Sequence, residues 1–291
     1  MVGVHHHEGS VSTGRGIQLF EQSWAPELPK AVVVLVHGFG EHSGRHESAA
    51  LHFVGSGSAV QSFDLRGHGR SGGKRCYIGT FDEYLEDTET LVLIAKRKWP
   101  GKPVFLLAHS LGGLIASLCV AEERVQLSGL ILSAAAVKLG RDYSPLKIRA
   151  SLVLGRVFPH LPMVRFRSIS VSRDPAVVRA YQCDELVYHG RTPARTASEI
   201  VRATKRLAAS VEQVSTPLLV LHGSQDQVAD IGGSRELFER AQSVDKSLRI
   251  YDGLWHEIMH EPEGKDVLGD ISDWIDKRTS QVGGGVDQPP N

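Results

Sequence analysis

Ser110 stands in Ala108-His109-Ser110-Leu111-Gly112, directly after the apolar run at 104–107 and directly before a helical pattern. A serine flanked by small residues, placed between a buried strand and a helix, has the form of a nucleophile elbow. That sharp, strained turn lifts the hydroxyl clear of the sheet. Side chains two positions either side would collide across the turn. Gly112 meets this need, and Ala108, where glycine is commoner, adds only a methyl group. A serine hydroxyl is a weak nucleophile until a base takes its proton. The base is expected to be a histidine whose tautomer is fixed by a carboxylate. The chain order serine, acid, histidine selects Asp226 and His256, each on a short loop just past an apolar run, 217–221 and 248–251. Asp230 competes for the acid but falls where an aspartate commonly caps a helix. His222 and His260 compete for the base, the first directly at its strand end and the second one turn past His256. The oxyanion of an acyl-transfer intermediate needs preorganised N–H donors. The backbone N–H of Leu111 supplies one, and Phe39 in His37-Gly38-Phe39-Gly40 is expected to supply the other. His37 reads as a brace for that loop.

These residues need a scaffold of strand ends. The run at 31–36 is continuous and β-branched, the pattern of a strand buried on both faces. Further strands are predicted at 59–63, 104–107, 127–133, 217–221 and 248–251, with an early edge strand within 16–24. Helices are predicted at 81–99, where Pro100-Gly101 stops the pattern, and at 111–121, 233–241 and 264–277. The alternation implies an α/β fold with a mostly parallel, doubly wound sheet. Residues 138–212 break the alternation. They read as a helical, basic cap inserted into a core formed by 1–137 and 213–280. Within the cap, 148–166 is apolar with Arg149, Arg156, Arg165 and Arg167 interspersed. Two readings stand for it: a helix packing its apolar face on the main domain, or one lying at a membrane interface. The glycine- and proline-containing tail at 281–291 is expected to be disordered.

Composition narrows the class. A chain of 291 residues with 41% hydrophobic content can bury a large core. Its 33 basic and 33 acidic residues balance, so no basic surplus points to nucleic acid. Cys76, Cys119 and Cys183 have no paired spacing, which fits a reducing, cytoplasmic setting. The polar stretch 1–20 lacks the apolar region of a signal peptide. No apolar run approaches the ~20 residues of a membrane span. His5-His6-His7 reads as a disordered terminus or expression remnant rather than a metal tract. His42, His46 and His68 lack zinc-site spacing, and Gly67-His68-Gly69 and Gly38-Phe39-Gly40 are too short to cradle a phosphate. Neither metal nor cofactor is expected.

Together these residues resemble the monoacylglycerol lipase family of α/β-hydrolases, also described as lysophospholipase-like serine hydrolases, over about 9–277. Residues 37–45 are similar to the family's oxyanion loop, 64–71 to its next strand-end loop and 109–113 to its elbow. The spacing from Asp226 to His256 is also the family's, and 172–175 and 184–190 resemble parts of its cap. The resemblance implies an α/β-hydrolase fold and a serine esterase that hydrolyses monoacylglycerols or similar single-chain esters through an acyl-enzyme. The partner implied is a lipid or small ester; the membrane-interface reading of 148–166 would add peripheral membrane contact through the cap. It also implies that Glu41 and Arg45 help form a polar pocket for the glycerol head group; a loop-bracing salt bridge is the other reading. Lysophospholipid hydrolysis, acyl transfer and small aromatic esters stay open on the same triad, as does a non-catalytic binding protein on the fold. The sequence departs from animal members at Met259, where they carry a polar histidine, and it lacks a clear counterpart of their cysteines near the site.

Overall fold

The computed structural model describes residues 3–14, 16–138, 145–165 and 170–283. Its strands are β1 (His5–Ser12), β2 (Gln18–Ala25), β3 (Ala31–Val36), β4 (Ser58–Phe63), β5 (Val104–His109), β6 (Gly129–Ser133), β7 (Pro162–Arg165), β8 (Arg191–Pro193), β9 (Leu218–Gly223) and β10 (Lys246–Tyr251). Its helices are α1 (Glu47–Gly55), α2 (Asp82–Lys98), α3 (Leu111–Ala121), α4 (Pro145–Val157), α5 (Pro175–Cys183), α6 (Ala194–Ser210), α7 (Ile231–Arg240) and α8 (Gly264–Gly283). Eight strands form one sheet in the order β1-β2-β4-β3-β5-β6-β9-β10. The pairs from β4 through β10 are parallel, and β2 pairs antiparallel with both β1 and β4.

The period of two along β3 divides the interior. Val32, Val34 and Val36 pack on one face with α2, α3 and α7. Ala31, Val33 and Leu35 pack on the other with α1 and α8. A strand covered on both faces admits a polar side chain only with a buried partner, and β3 avoids that need with an unbroken apolar run. The parallel strands all present their carboxyl ends at one edge, and the loops after β3, β5, β9 and β10 gather there.

Several expectations need correction. The strand in 16–24 is not an edge: β1 covers it in an eight-residue antiparallel register from His5↔Ala25 to Ser12↔Gln18. His5-His6-His7 is therefore ordered, with the His6 ring stacked 4.9 Å from Trp24. The apolar stretch 148–166 is not one helix. α4 ends at Val157, and β7 pairs antiparallel with β8 in a separate two-stranded sheet; Phe166 and Arg167 lie outside the described residues. α8 continues to Gly283, into the stretch expected as a tail; 284–291 lie outside the described residues. Between β6 and β9 the chain leaves the sheet for α4, β7, α5, β8 and α6. Ala203 and Leu207 of α6 join the same apolar cluster as β3 and α3.

Candidate active site

Ser110 lies between the end of β5 and the start of α3 with φ +52° and ψ −116°. A non-glycine residue in this region is strained and persists only where its surroundings over-determine it. Here Ser110 N–H donates to Ser133 O at 3.0 Å, and its carbonyl accepts from Gly113 and Ala136. A Cβ on Gly112 would come within 2.5 Å of Val36 O, so the second small position is obligatory. The Ala108 methyl is fully buried in the core beside β3, which explains why alanine serves there.

The loop after β3 packs against this turn; a Cβ on Gly38 would lie 3.1 Å from Ser110 Cβ. His37 fixes the loop's geometry. Its Nε2 accepts the Leu65 N–H at 2.9 Å, so Nδ1 carries the hydrogen and donates to Gly38 O at 2.7 Å. Burial, opposed only partly by Glu41 and Gly38, pushes the His37 ring down to about 4, which keeps this tautomer at neutral pH. Gly38 O and Phe39 N–H belong to one planar peptide unit and point opposite ways. Holding the carbonyl therefore turns the Phe39 N–H away from His37. Among the described residues neither Phe39 N–H nor Leu111 N–H, the first amide of α3, is taken by a protein acceptor.

His256 stands on the loop after β10, and Asp226 on the loop after β9. The two loops approach closely because β9 ends in Gly223; a Cβ there would sit 2.3 Å from Leu254 O. His256 Nδ1–H donates to Asp226 Oδ2 at 2.8 Å, leaving Nε2 to accept the Ser110 hydroxyl at 2.9 Å. Asp226 Oδ1 accepts the N–H groups of Val228 and Ala229. Burial favours a neutral His256, but the Asp226 carboxylate outweighs it and raises the ring above the ordinary histidine value. Burial also opposes ionisation of Asp226, and His256 and His222 override it, holding the carboxyl far below the usual range. Asp230 accepts the Gly232 N–H as the cap of α7. His260 accepts no role at Ser110; its Nε2 bonds Arg45 O at 3.0 Å. His109, whose ring lies 4.8 Å from His256, is pushed down to about 3, chiefly by burial and then by His256.

Glu41 and Arg45 are brought together beneath the oxyanion loop. Glu41 Oε1 accepts the Gly38 N–H at 2.6 Å, and Oε2 accepts Arg45 Nη1 at 2.8 Å. The Arg45 fork also grips Glu257, next to His256, through two bonds of 2.7 and 2.8 Å. Burial disfavours both carboxylates, but His46 and Arg45 hold Glu41 well below its usual range, and His260 and Arg45 do the same for Glu257. Glu257 was not legible as a site residue; its only signal was its place beside His256. His42, His46 and His68 are spread over different partners, Asp184, Glu41 and Cys76. Among the described residues no group of three or more His, Cys, Asp or Glu side chains is placed to hold a metal ion.

A mostly parallel eight-stranded sheet with a serine elbow and an acid–histidine pair at its carboxyl edge defines an α/β-hydrolase. A family model described as serine aminopeptidase, S33, matches residues 27–263. The chain belongs to that family and, within it, to the monoacylglycerol lipases and their relatives. It is 39% identical over 276 residues to the monoacylglycerol lipase of Mycolicibacterium smegmatis, covering 94% of this chain and 99% of that one. It is 34% identical to the monoglyceride lipase of Homo sapiens, covering 92% and 90%. The crystal structure of Paleococcus ferrophilus monoacylglycerol lipase superposes with a TM-score of 0.81 at 29% identity, covering 89% of this chain and 99% of that one.

Proposed function

We propose that the chain is a serine esterase that hydrolyses monoacylglycerols or similar single-chain carboxylic esters. The observation that carries this reading is the continuous hydrogen-bond line from Ser110 Oγ through His256 to Asp226. Relatives whose names specify monoacylglycerols support the substrate class. Ser110 Oγ attacks the ester carbonyl carbon while His256 Nε2 takes its proton. The carbonyl oxygen, now an oxyanion, accepts from the N–H groups of Phe39 and Leu111. The intermediate collapses, the C–O bond to glycerol breaks, and His256 returns the proton to the departing alkoxide. Water then attacks the acyl-Ser110 ester by the same route, releasing the fatty acid and restoring the serine. Glu41 and Arg45 shape the polar end of the pocket through the loop they brace.

Residues 138–212 form the cap over this site and supply the apolar path for one acyl chain. Leu146, Val153, Val157 and Phe158, with Leu161 and Val164, expose a large apolar surface there. Exposed Arg149 and Arg156 flank it. This combination supports peripheral contact with a lipid surface; among the described residues no helix is long and apolar enough to cross a membrane. Unpaired Cys76, Cys119 and Cys183 support a reducing compartment. The test is turnover on a panel of monoacyl-, diacyl- and triacylglycerols, lysophospholipids and p-nitrophenyl esters, with an added acceptor alcohol in a parallel series. The expected result is highest kcat/KM on a monoacylglycerol with free fatty acid as product. Preference for a lysophospholipid, or net acyl transfer to the alcohol, would overturn the substrate assignment.

A further inference from the structure

Asp226 has a second histidine. His222, the penultimate residue of β9, is fully buried, and its Nε2 lies 3.1 Å from Asp226 Oδ2, the same oxygen that receives His256. Its Nδ1 lies 2.7 Å from the hydroxyl of Ser234, itself buried on α7. A lone pair on Nε2 would face the carboxylate oxygen and repel it, so Nε2 carries the hydrogen. Nδ1 is then the lone-pair side and takes the hydroxyl hydrogen of Ser234. The Nε2–H points off the ideal donor axis and makes no well-aligned hydrogen bond. His256 makes the hydrogen bond to Oδ2 at 2.8 Å, and His222 approaches the same oxygen at 3.1 Å.

We propose that His222, anchored by Ser234, is a positioning residue that shares Asp226 Oδ2 with His256 and so limits how strongly the carboxylate draws a proton onto the catalytic histidine. This rests on the triad reading above. Oδ1 is held by two backbone N–H groups and Oδ2 by His256, and His222 adds a second contact at Oδ2. It also withdraws part of the negative charge that His256 feels. An unshared Asp226 would stabilise imidazolium more, and His256 would be charged over a wider range of pH. His222 thus keeps the base unprotonated, and so available to Ser110, at lower pH.

The test compares wild type with His222→Leu, His222→Gln and Ser234→Ala across a pH series with a soluble p-nitrophenyl ester. Leucine fills similar volume with no donor. Glutamine places an amide N–H near the position of Nε2. The expected result for His222→Leu is an acid limb of kcat/KM moved upward by roughly half a unit or more. At pH 6, with each enzyme normalised to its own plateau, this reads as an activity about 3-fold or more below wild type. His222→Gln should return the limb toward wild type, and Ser234→Ala should shift it upward by a smaller amount. A folded His222→Leu variant with an unchanged limb would overturn the proposal, as would an equal uniform loss of kcat in His222→Leu and His222→Gln with no limb shift. If His222→Leu does not fold, Ser234→Ala decides: an unmoved limb overturns the proposal, an upward shift supports it. Ser110→Ala is run alongside. Activity surviving that change would remove the triad reading itself, whereas an inert Ser110→Ala with an unmoved His222→Leu limb removes only the role of His222.

Discussion

At the scale of single residues, the site depends on one imidazole held between a carboxylate and a hydroxyl. Only unprotonated His256 can accept the Ser110 proton. Its value is raised above 6.5 by Asp226 against the pull of burial. Activity should therefore rise with pH through a limb that lies above the ordinary histidine value, measured as kcat/KM on a soluble ester. Asp226→Asn removes the charge and the tautomer control together. It is expected to lower kcat by about 10^4-fold and to move the limb downward, because burial is then opposed only by the charges of Glu257 and Glu41. Stability follows the same pair with opposite signs. The raised value of His256 makes its contribution full below 6.5 and fading as pH climbs through the folded value. The depressed value of Asp226 makes its contribution present above 3.8 and lost in acid, as pH falls toward that lower value. The candidates Ser110, Asp226 and His256 could be picked out in the sequence because each follows an apolar run that marks a strand, and the structure brings the three side chains together. Asp230 was set aside in the sequence as a helix cap, and it caps α7; the partners of His222 (Asp226 and Ser234) and of His260 (Arg45 O) are contacts that spacing alone does not reveal.

At the scale of elements, the loops after β3 and β10 are locked to each other by Arg45. Its guanidinium spans Glu41, which holds the oxyanion loop through Gly38 N–H, and Glu257, which neighbours the catalytic histidine. Both carboxylates are buried and the guanidinium side chain is only 9% exposed. A buried pair broken from one side leaves an uncompensated charge. Arg45→Met should therefore destabilise the fold by about 3–5 kcal/mol, read as a lowered midpoint in urea unfolding. Adding Glu257→Gln should recover part of that loss; a surface-like change under about 1 kcal/mol would contradict the buried-lock description. The partners are 212 residues apart, so no local pattern announces them. The same limit hid the β7–β8 pairing, which joins two short segments with α5 between them in the chain. β1 was missed for a different reason. Its exposed polar face gives no apolar alternation, and its order comes from the ladder to β2 and from His6 on Trp24.

At the scale of the whole molecule, the segment between β6 and β9 is tied to the chemistry from outside the sheet. Tyr188 N–H donates to Gly40 O at 2.7 Å, and Asp184 pairs with His42 at 2.8 Å, both on the oxyanion loop. Glu257 N–H donates to Val171 O on the histidine loop. Displacing this segment would disturb both loops, so the lipid contact proposed above for its exposed apolar residues would couple to the geometry at Ser110. Val153→Asp combined with Phe158→Asp should weaken sedimentation with anionic phospholipid vesicles at least 10-fold while leaving turnover of a soluble p-nitrophenyl ester near wild type. Unchanged sedimentation would remove the membrane contact. The α/β class and the mostly parallel sheet were readable from alternating apolar runs and helical patterns, whereas the strand order β1-β2-β4-β3-β5-β6-β9-β10 was not. The inserted segment was readable only as an interruption, because its elements pack on partners that the linear order does not bring together.

The central claim is that Ser110 is the nucleophile of an acyl-enzyme. The most direct measurement is labelling of the intact protein with a fluorophosphonate, followed by peptide mass mapping. The expected result is one phosphonyl adduct per chain, on the peptide bearing Ser110, absent from Ser110→Ala together with a fall in ester turnover of about 10^6-fold. An adduct on a different serine, or near-wild-type turnover by Ser110→Ala, would contradict it.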